Sequence, residues 1–132
     1  MIATALSANL VIGIPLFDEA HAVLAEQIRE LLDGPDEQFS ALMAALVDSL
    51  EVDFRVEEDL MEVIDYPAIR SHREQHARVL AALHCLPPGD VGAGRHAASL
   101  LLPWFHAHLA TADTALAIAI QVAAKMPAPP AE

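Results

Sequence analysis

One cysteine, seven basic residues and no apolar run of bilayer length set the first limits on this 132-residue chain. Cys85 has no partner for an internal disulfide, so the fold does not depend on cross-linking, and a reducing, cytoplasmic setting is expected. The seven Lys and Arg stand against 19 Asp and Glu, a formal charge of −12. Nucleic acid and anionic membranes are bound mainly through Lys and Arg, so neither is an expected partner. No basic residue precedes Arg29, which leaves the N-terminus without the positive region of a secretory signal. The most apolar uncharged run near the C-terminus, residues 114–124, has 11 residues, well short of the roughly 20 that a membrane helix needs. The expectation is a soluble protein.

Strand formers are also sparse. Val, Thr and aromatic residues are few, while 26 alanines favour helix. Helix breakers cluster at Gly13 and Pro15, at Gly34 and Pro35, at Pro67, between Pro87 and Gly94, at Pro103 and in the tail from Pro127 to Pro130. The stretches between them are of helix length. The chain therefore reads as one all-α domain over 1–132, with helices over 16–33, 36–66, 68–86 and 95–126, an arm over 1–15 and a Pro-rich tail over 127–132. Short connections make successive helices antiparallel, so the architecture expected is an up-down-up-down four-helix bundle. Pro103 is either the first residue of the last helix or a kink in a helix that began near Arg95.

Each stretch carries an amphipathic stripe at spacings of three and four. The stripes read Phe17, His21, Leu24, Ile28, Leu31; then Leu46, Leu50, Asp53, Glu57, Leu60, Ile64; then Ile69, His72, His76, Val79, Leu83; then Leu101, Phe105, His108, Ala112, Leu116, Ile120. Polar residues thus stand in core-facing slots on every helix. Burying a charged or unpartnered polar group costs several kcal/mol, so this many inward carboxylates and imidazoles need a common partner, and a metal supplies one. His72 and His76 are four apart and lie about 40° apart around a helix, so both rings can face one ion; Asp53 and Glu57 repeat that spacing. His108 and Asp113 are five apart, about 140° on an ideal helix, so Asp113 either sits at the edge of the buried face or is brought round by a local bulge.

A single pair of this kind is more often a surface accident or a pair of satisfied core histidines. Four imidazoles and three carboxylates aligned across four helices are the setting in which two bridged iron ions are held inside a bundle. By contrast, His84, His96 and His106 read as ordinary partly exposed residues. Phe17, Phe54, Met61, Trp104 and Phe105 read as core packing around the site. Asp18 reads as a capping group of the first helix, Glu58 as a solvated neighbour of Glu57, and Cys85 as a buried small residue.

Four motifs stand out: Gly13-Ile14 with Asp18 and His21; Phe54-Arg55-Val56-Glu57-Glu58 with Leu60-Met61 and Tyr66-Pro67; His72 and His76; and Trp104-Phe105 with His108 and Asp113. Together they carry a resemblance to the hemerythrin family of non-haem di-iron bundles. It implies that His72, His76 and His108 ligate one iron, that His21 ligates the other, and that Glu57 and Asp113 bridge them, with an oxo or hydroxo group completing the pair of Fe2+/Fe3+ ions. The family's second-helix motif has His before Phe, where this chain has Asp53. That departure falls on the iron with the open position, and an added anion there favours the ferric state. The resemblance implies a protein that binds O2 or a related ligand such as NO, peroxide or azide, for sensing, storage or delivery. A di-iron oxidase or peroxidase-like enzyme and a bundle with a degenerate site are the alternatives. Ile118, Val122 and Ala123 lie off the buried face of the last helix, which suggests self-association through that helix.

Overall fold

The computed structural model describes residues 13–125. Its elements are α1 (Pro15–Asp33), a 3-10 turn (Asp36–Gln38), α2 (Phe39–Val63), α3 (Ile69–His84), α4 (Val91–His108), a π-helical turn (Leu109–Asp113) and α5 (Thr114–Lys125). The last three form one continuous helix, Val91–Lys125. The architecture is a four-helix bundle, with α1 packed on α2 and α4, and α2 packed on α3.

Local chemistry sets the ends. Pro15 stands at the start of α1, where its missing N–H costs nothing, and the Asp18 carboxylate accepts from Gly13 N–H at 3.3 Å. At the end of α2, Tyr66 N–H reaches Met61 O, Asp65 N–H reaches Glu62 O, and Asp65 adopts a φ of 53°. That pair of bonds is the Schellman termination, and it stops the helix three residues before the expected 66. The last helix starts at Val91, not near Arg95. The Asp90 side chain caps it by accepting from Ala93 N–H at 3.0 Å, so Gly92 and Gly94 lie inside the helix rather than before it. Pro103 is likewise an interior residue. Residues 1–12 of the expected arm, the expected tail over 127–132 and the last residue of the expected helix, Met126, lie outside the described residues.

The 35-residue last helix is long and apolar enough to cross a membrane by length and composition alone. In the bundle it presents Ala98, Leu101, Phe105 and Leu116 to the core, together with His108 and Asp113. Ile118 and Val122 are exposed on its outer side. Cys85, expected to be buried, is exposed at the end of α3.

The buried line of α2 runs Leu46, Leu50, Phe54, Glu57, Met61. It therefore passes through Phe54 and Met61 where the sequence stripe passed through Asp53 and Leu60, and Asp53 is left at the edge of the buried face. Two apolar clusters result. One holds Leu24, Ile28, Leu46, Leu50, Phe54, Phe105 and Leu109 among others, and a smaller one is built on Phe17, Met61 and Leu116. Between them, on every helix, lies a layer of buried polar side chains.

Candidate metal centre

Six polar residues of that layer are buried: His21, Glu57, His72, His76, His108 and Asp113. Helical spacing delivers them from all four helices. His72 and His76 are one turn apart on α3, with their rings edge to face at 4.6 Å. His108 and Asp113 share a face because the turn between them is π-helical, so Asp113 replaces Ala112 in the buried line. Ligand-capable atoms of Glu57, His72, His76, His108 and Asp113 all lie within 4.8 Å of one another.

The two carboxylates divide their oxygens. Glu57 Oε1 lies 3.1 Å from Nε2 of both His72 and His76, and Asp113 Oδ1 lies 3.1 Å from His72 Nε2 and 3.2 Å from His108 Nε2. Their other oxygens face the opposite helix: Asp113 Oδ2 is 3.5 Å and Glu57 Oε2 3.9 Å from His21 Nε2. The arrangement has a three-imidazole side and a one-imidazole side, with both carboxylates spanning the two.

Several of these atoms face the shared space without making a hydrogen bond. His76 Nε2, His108 Nε2 and Asp113 Oδ1 are buried with no hydrogen-bond partner. Unpartnered buried polar atoms are costly, and a cation placed among them removes the cost. Nitrogen and carboxylate donors in this mixture suit a first-row transition metal.

The charges respond to the crowding. Burial would raise the Glu57 carboxyl, but the neighbouring imidazoles of His21, His72 and His76 prevail and hold it well below the usual carboxylate range. For His72, burial works toward a lower value, yet Asp113 and Glu57 prevail and raise it to about 9. At the layer's margin, burial and then the Asp113 charge push the Tyr66 hydroxyl up.

Around the cluster lies a second set of contacts that the sequence reading did not identify. Glu58, read there as solvated, accepts from His76 Nδ1 at 2.9 Å and from Arg73 Nε at 3.3 Å. Gln75 Oε1 accepts from His108 Nδ1 at 2.7 Å. Each bond fixes a ring so that its Nε2 points inward. The Phe54 ring stacks on His76 at 3.8 Å, and Trp104 stacks on His108 at 4.6 Å. The only signal available in the sequence was adjacency: Glu58 follows Glu57, and Gln75 precedes His76. His84 is an exposed residue paired with Glu51.

Asp53 lies beside this cluster and is not one of its five members. It lines a cavity of about 40 Å³ between α1 and α2, with Leu16, Phe17, Ala20, Val56 and Glu57. Burial, and then the charge of Glu57, push its carboxyl up, with His21 opposing.

Residues 12–117 match the family model of the hemerythrin HHE cation binding domain. The chain is 29% identical over 111 residues to Bacteriohemerythrin of Ralstonia nicotianae (strain ATCC BAA-1114 / GMI1000), an alignment that covers 81% of each chain. No solved structure matches.

Proposed function

This chain belongs to the hemerythrin family, and on that premise we propose that it holds two iron ions and binds O2 or a related small ligand such as NO or peroxide. The observation that carries this reading is the division of oxygens: Glu57 and Asp113 each turn one oxygen to the three-imidazole side and the other to His21. His72, His76 and His108 would hold one ion and His21 the other, with Glu57 and Asp113 spanning both. Asp53 would complete the second ion's surroundings, directly or through a water. When bound, such a pair supplies two adjacent redox-active centres that exchange electrons with a small oxidant.

The chain's own residues do the rest. Glu58 and Gln75 orient His76 and His108, while Phe54, Trp104 and Phe105 pack against the rings. The cavity at Asp53 has room for one to about three waters, which suits a ligand of two or three heavy atoms. A role in sensing, storage or delivery would rest on ligand binding there.

One observation favours a second reading. Asp53 puts another carboxylate beside Glu57, and added negative charge favours the ferric state and hence turnover of peroxide or ferrous iron over reversible binding.

The test is metal analysis together with absorption spectra of the anaerobically reduced protein before and after admission of air. Two irons per chain, with a visible band that forms when oxygen is admitted, are expected. A chain that takes up no iron would overturn the reading. A band that appears once and does not reverse, with peroxide or iron consumed catalytically, would favour the enzyme.

A further inference from the structure

Thr111 lies within the π-helical turn and Thr114 directly follows it, and their hydroxyls do different things. Thr111 Oγ1 donates to Ala107 O, four residues back, at 2.7 Å. That is the usual bond of a threonine in a regular helix. Thr114 Oγ1 donates to Leu109 O, five residues back, also at 2.7 Å. The same carbonyl accepts from the Thr114 backbone N–H. In an α-helix the Leu109 carbonyl would instead be taken by the N–H of Asp113, four residues on. The Thr114 hydroxyl bond therefore belongs to the wide register alone.

That register decides where Asp113 stands. Five residues of regular helix would carry it about 140° away from His108. The wide turn brings Asp113 Oδ1 to 3.2 Å from His108 Nε2 and 3.1 Å from His72 Nε2. Leu109 and Asp113 are both fully buried, so water offers no substitute bond to hold the turn open.

We propose that Thr114 is a positioning residue of the metal centre: its hydroxyl, anchored on the Leu109 carbonyl, selects the π register that turns Asp113 into the cluster. The consequence for metal uptake rests on the di-iron reading above; the consequence for helix register does not.

Thr114→Val keeps the shape and removes the hydroxyl, and Thr114→Ser keeps the hydroxyl. In the metal-free full chain, NMR couplings across hydrogen bonds report which amide donates to the Leu109 carbonyl. Wild type and Thr114→Ser should show the Thr114 amide; Thr114→Val should show the Asp113 amide. In anaerobic titration with ferrous iron, Thr114→Val should lose ten-fold or more in affinity for at least one of the two equivalents, and Thr114→Ser should match wild type. A loss caused merely by a weaker fold would not show this register change or be rescued by serine. A wild-type coupling pattern in Thr114→Val, or unchanged iron affinity despite an altered pattern, overturns the proposal. If wild type itself takes up no iron, the di-iron reading fails and the couplings alone decide the role of Thr114.

Discussion

Glu57 and Glu58, consecutive on α2, address opposite nitrogens of one imidazole. Glu57 Oε1 lies 3.1 Å from Nε2 of His76, and Glu58 Oε2 lies 2.9 Å from its Nδ1. Glu58 accepts the proton of Nδ1, which leaves Nε2 facing the shared space, where its lone pair would serve a cation. Arg73, on the same helix as His76, lies on Glu58 and on Glu62, and so holds Glu58 in turn.

Removing this support is expected to cost metal affinity without removing a ligand. Glu58→Ala should weaken binding by about 10–100-fold, the range found when outer partners of metal-bound histidines are lost. Glu58→Gln, which still accepts the Nδ1 proton but without charge, should fall between. Metal titration of the three proteins is the check. Equal affinities would mean that stacking by Phe54 alone orients His76.

Stability and metal should be coupled through His72. In the metal-free protein its value is raised to about 9 from an ordinary value of 6.5. The sign follows: the stabilisation is present in full below about pH 6.5 and is lost as pH rises through about 9. Glu57, held low, contributes in the other direction, a stabilisation present above about pH 4.5 and lost as the medium is acidified. Thermal melts of the metal-free protein should fall between pH 6.5 and about pH 10, whereas the loaded protein, with His72 neutral on its ion, should hold its midpoint across the lower part of that range. A flat alkaline profile in the metal-free protein would contradict this.

The end of the bundle away from Asp113 gives a purely steric prediction. A Cβ on Gly94 would run into the ring of Phe39, which is buried. Alanine would gain up to about 1 kcal/mol in helix propensity, but forcing a methyl into a filled site costs about 1–3 kcal/mol. The collision should prevail, so Gly94→Ala should melt lower than wild type. Phe39→Leu in the same chain should recover part of the loss, and an unchanged midpoint in the single variant would show that Phe39 moves aside freely.

The helices were legible because Pro and Gly punctuate this chain cleanly, and most of the buried polar layer because His21, Glu57, His72, His76 and His108 all fall on stripes of period 3.6. What escaped has physical reasons. Gly92 and Gly94 look like breakers, and only the Asp90 cap and the close approach of Phe39 explain why the helix runs through them. The α2 stripe admits two tracks one residue apart, and the packing of Phe54 and Met61 selects the one that leaves Asp53 at the edge. The placement of Asp113 depends on a bulge that spacing raised only as an alternative to an edge position. Glu58 sits 100° from Glu57 on the helix, which argued for solvent; the reach of its side chain to α3 depends on how the two helices pack.

The last prediction concerns Asp53, which lines the small cavity beside Glu57. In the di-iron reading the one-imidazole side has His21 alone among the histidines, and Asp53 is a further carboxylate beside it whose charge His21 feels. A negative charge at about 4 Å, at an effective dielectric near 20, interacts with an added unit of positive charge by roughly 4 kcal/mol before relaxation. That favours the higher oxidation state, so the reduced protein should oxidise in air rather than take up oxygen reversibly. Asp53→His removes the charge and adds an imidazole of the kind already present on the other side. It should slow oxidation by ten-fold or more and make the oxygen-dependent absorption change reversible, without loss of the ion held by His72, His76 and His108. Stopped-flow absorption of both reduced proteins after mixing with oxygen, paired with metal counts, separates the possibilities. Wild type that takes up and releases oxygen reversibly, at rates that the substitution leaves unchanged, would show that the charge at Asp53 is spent on the cavity wall and does not reach the metals.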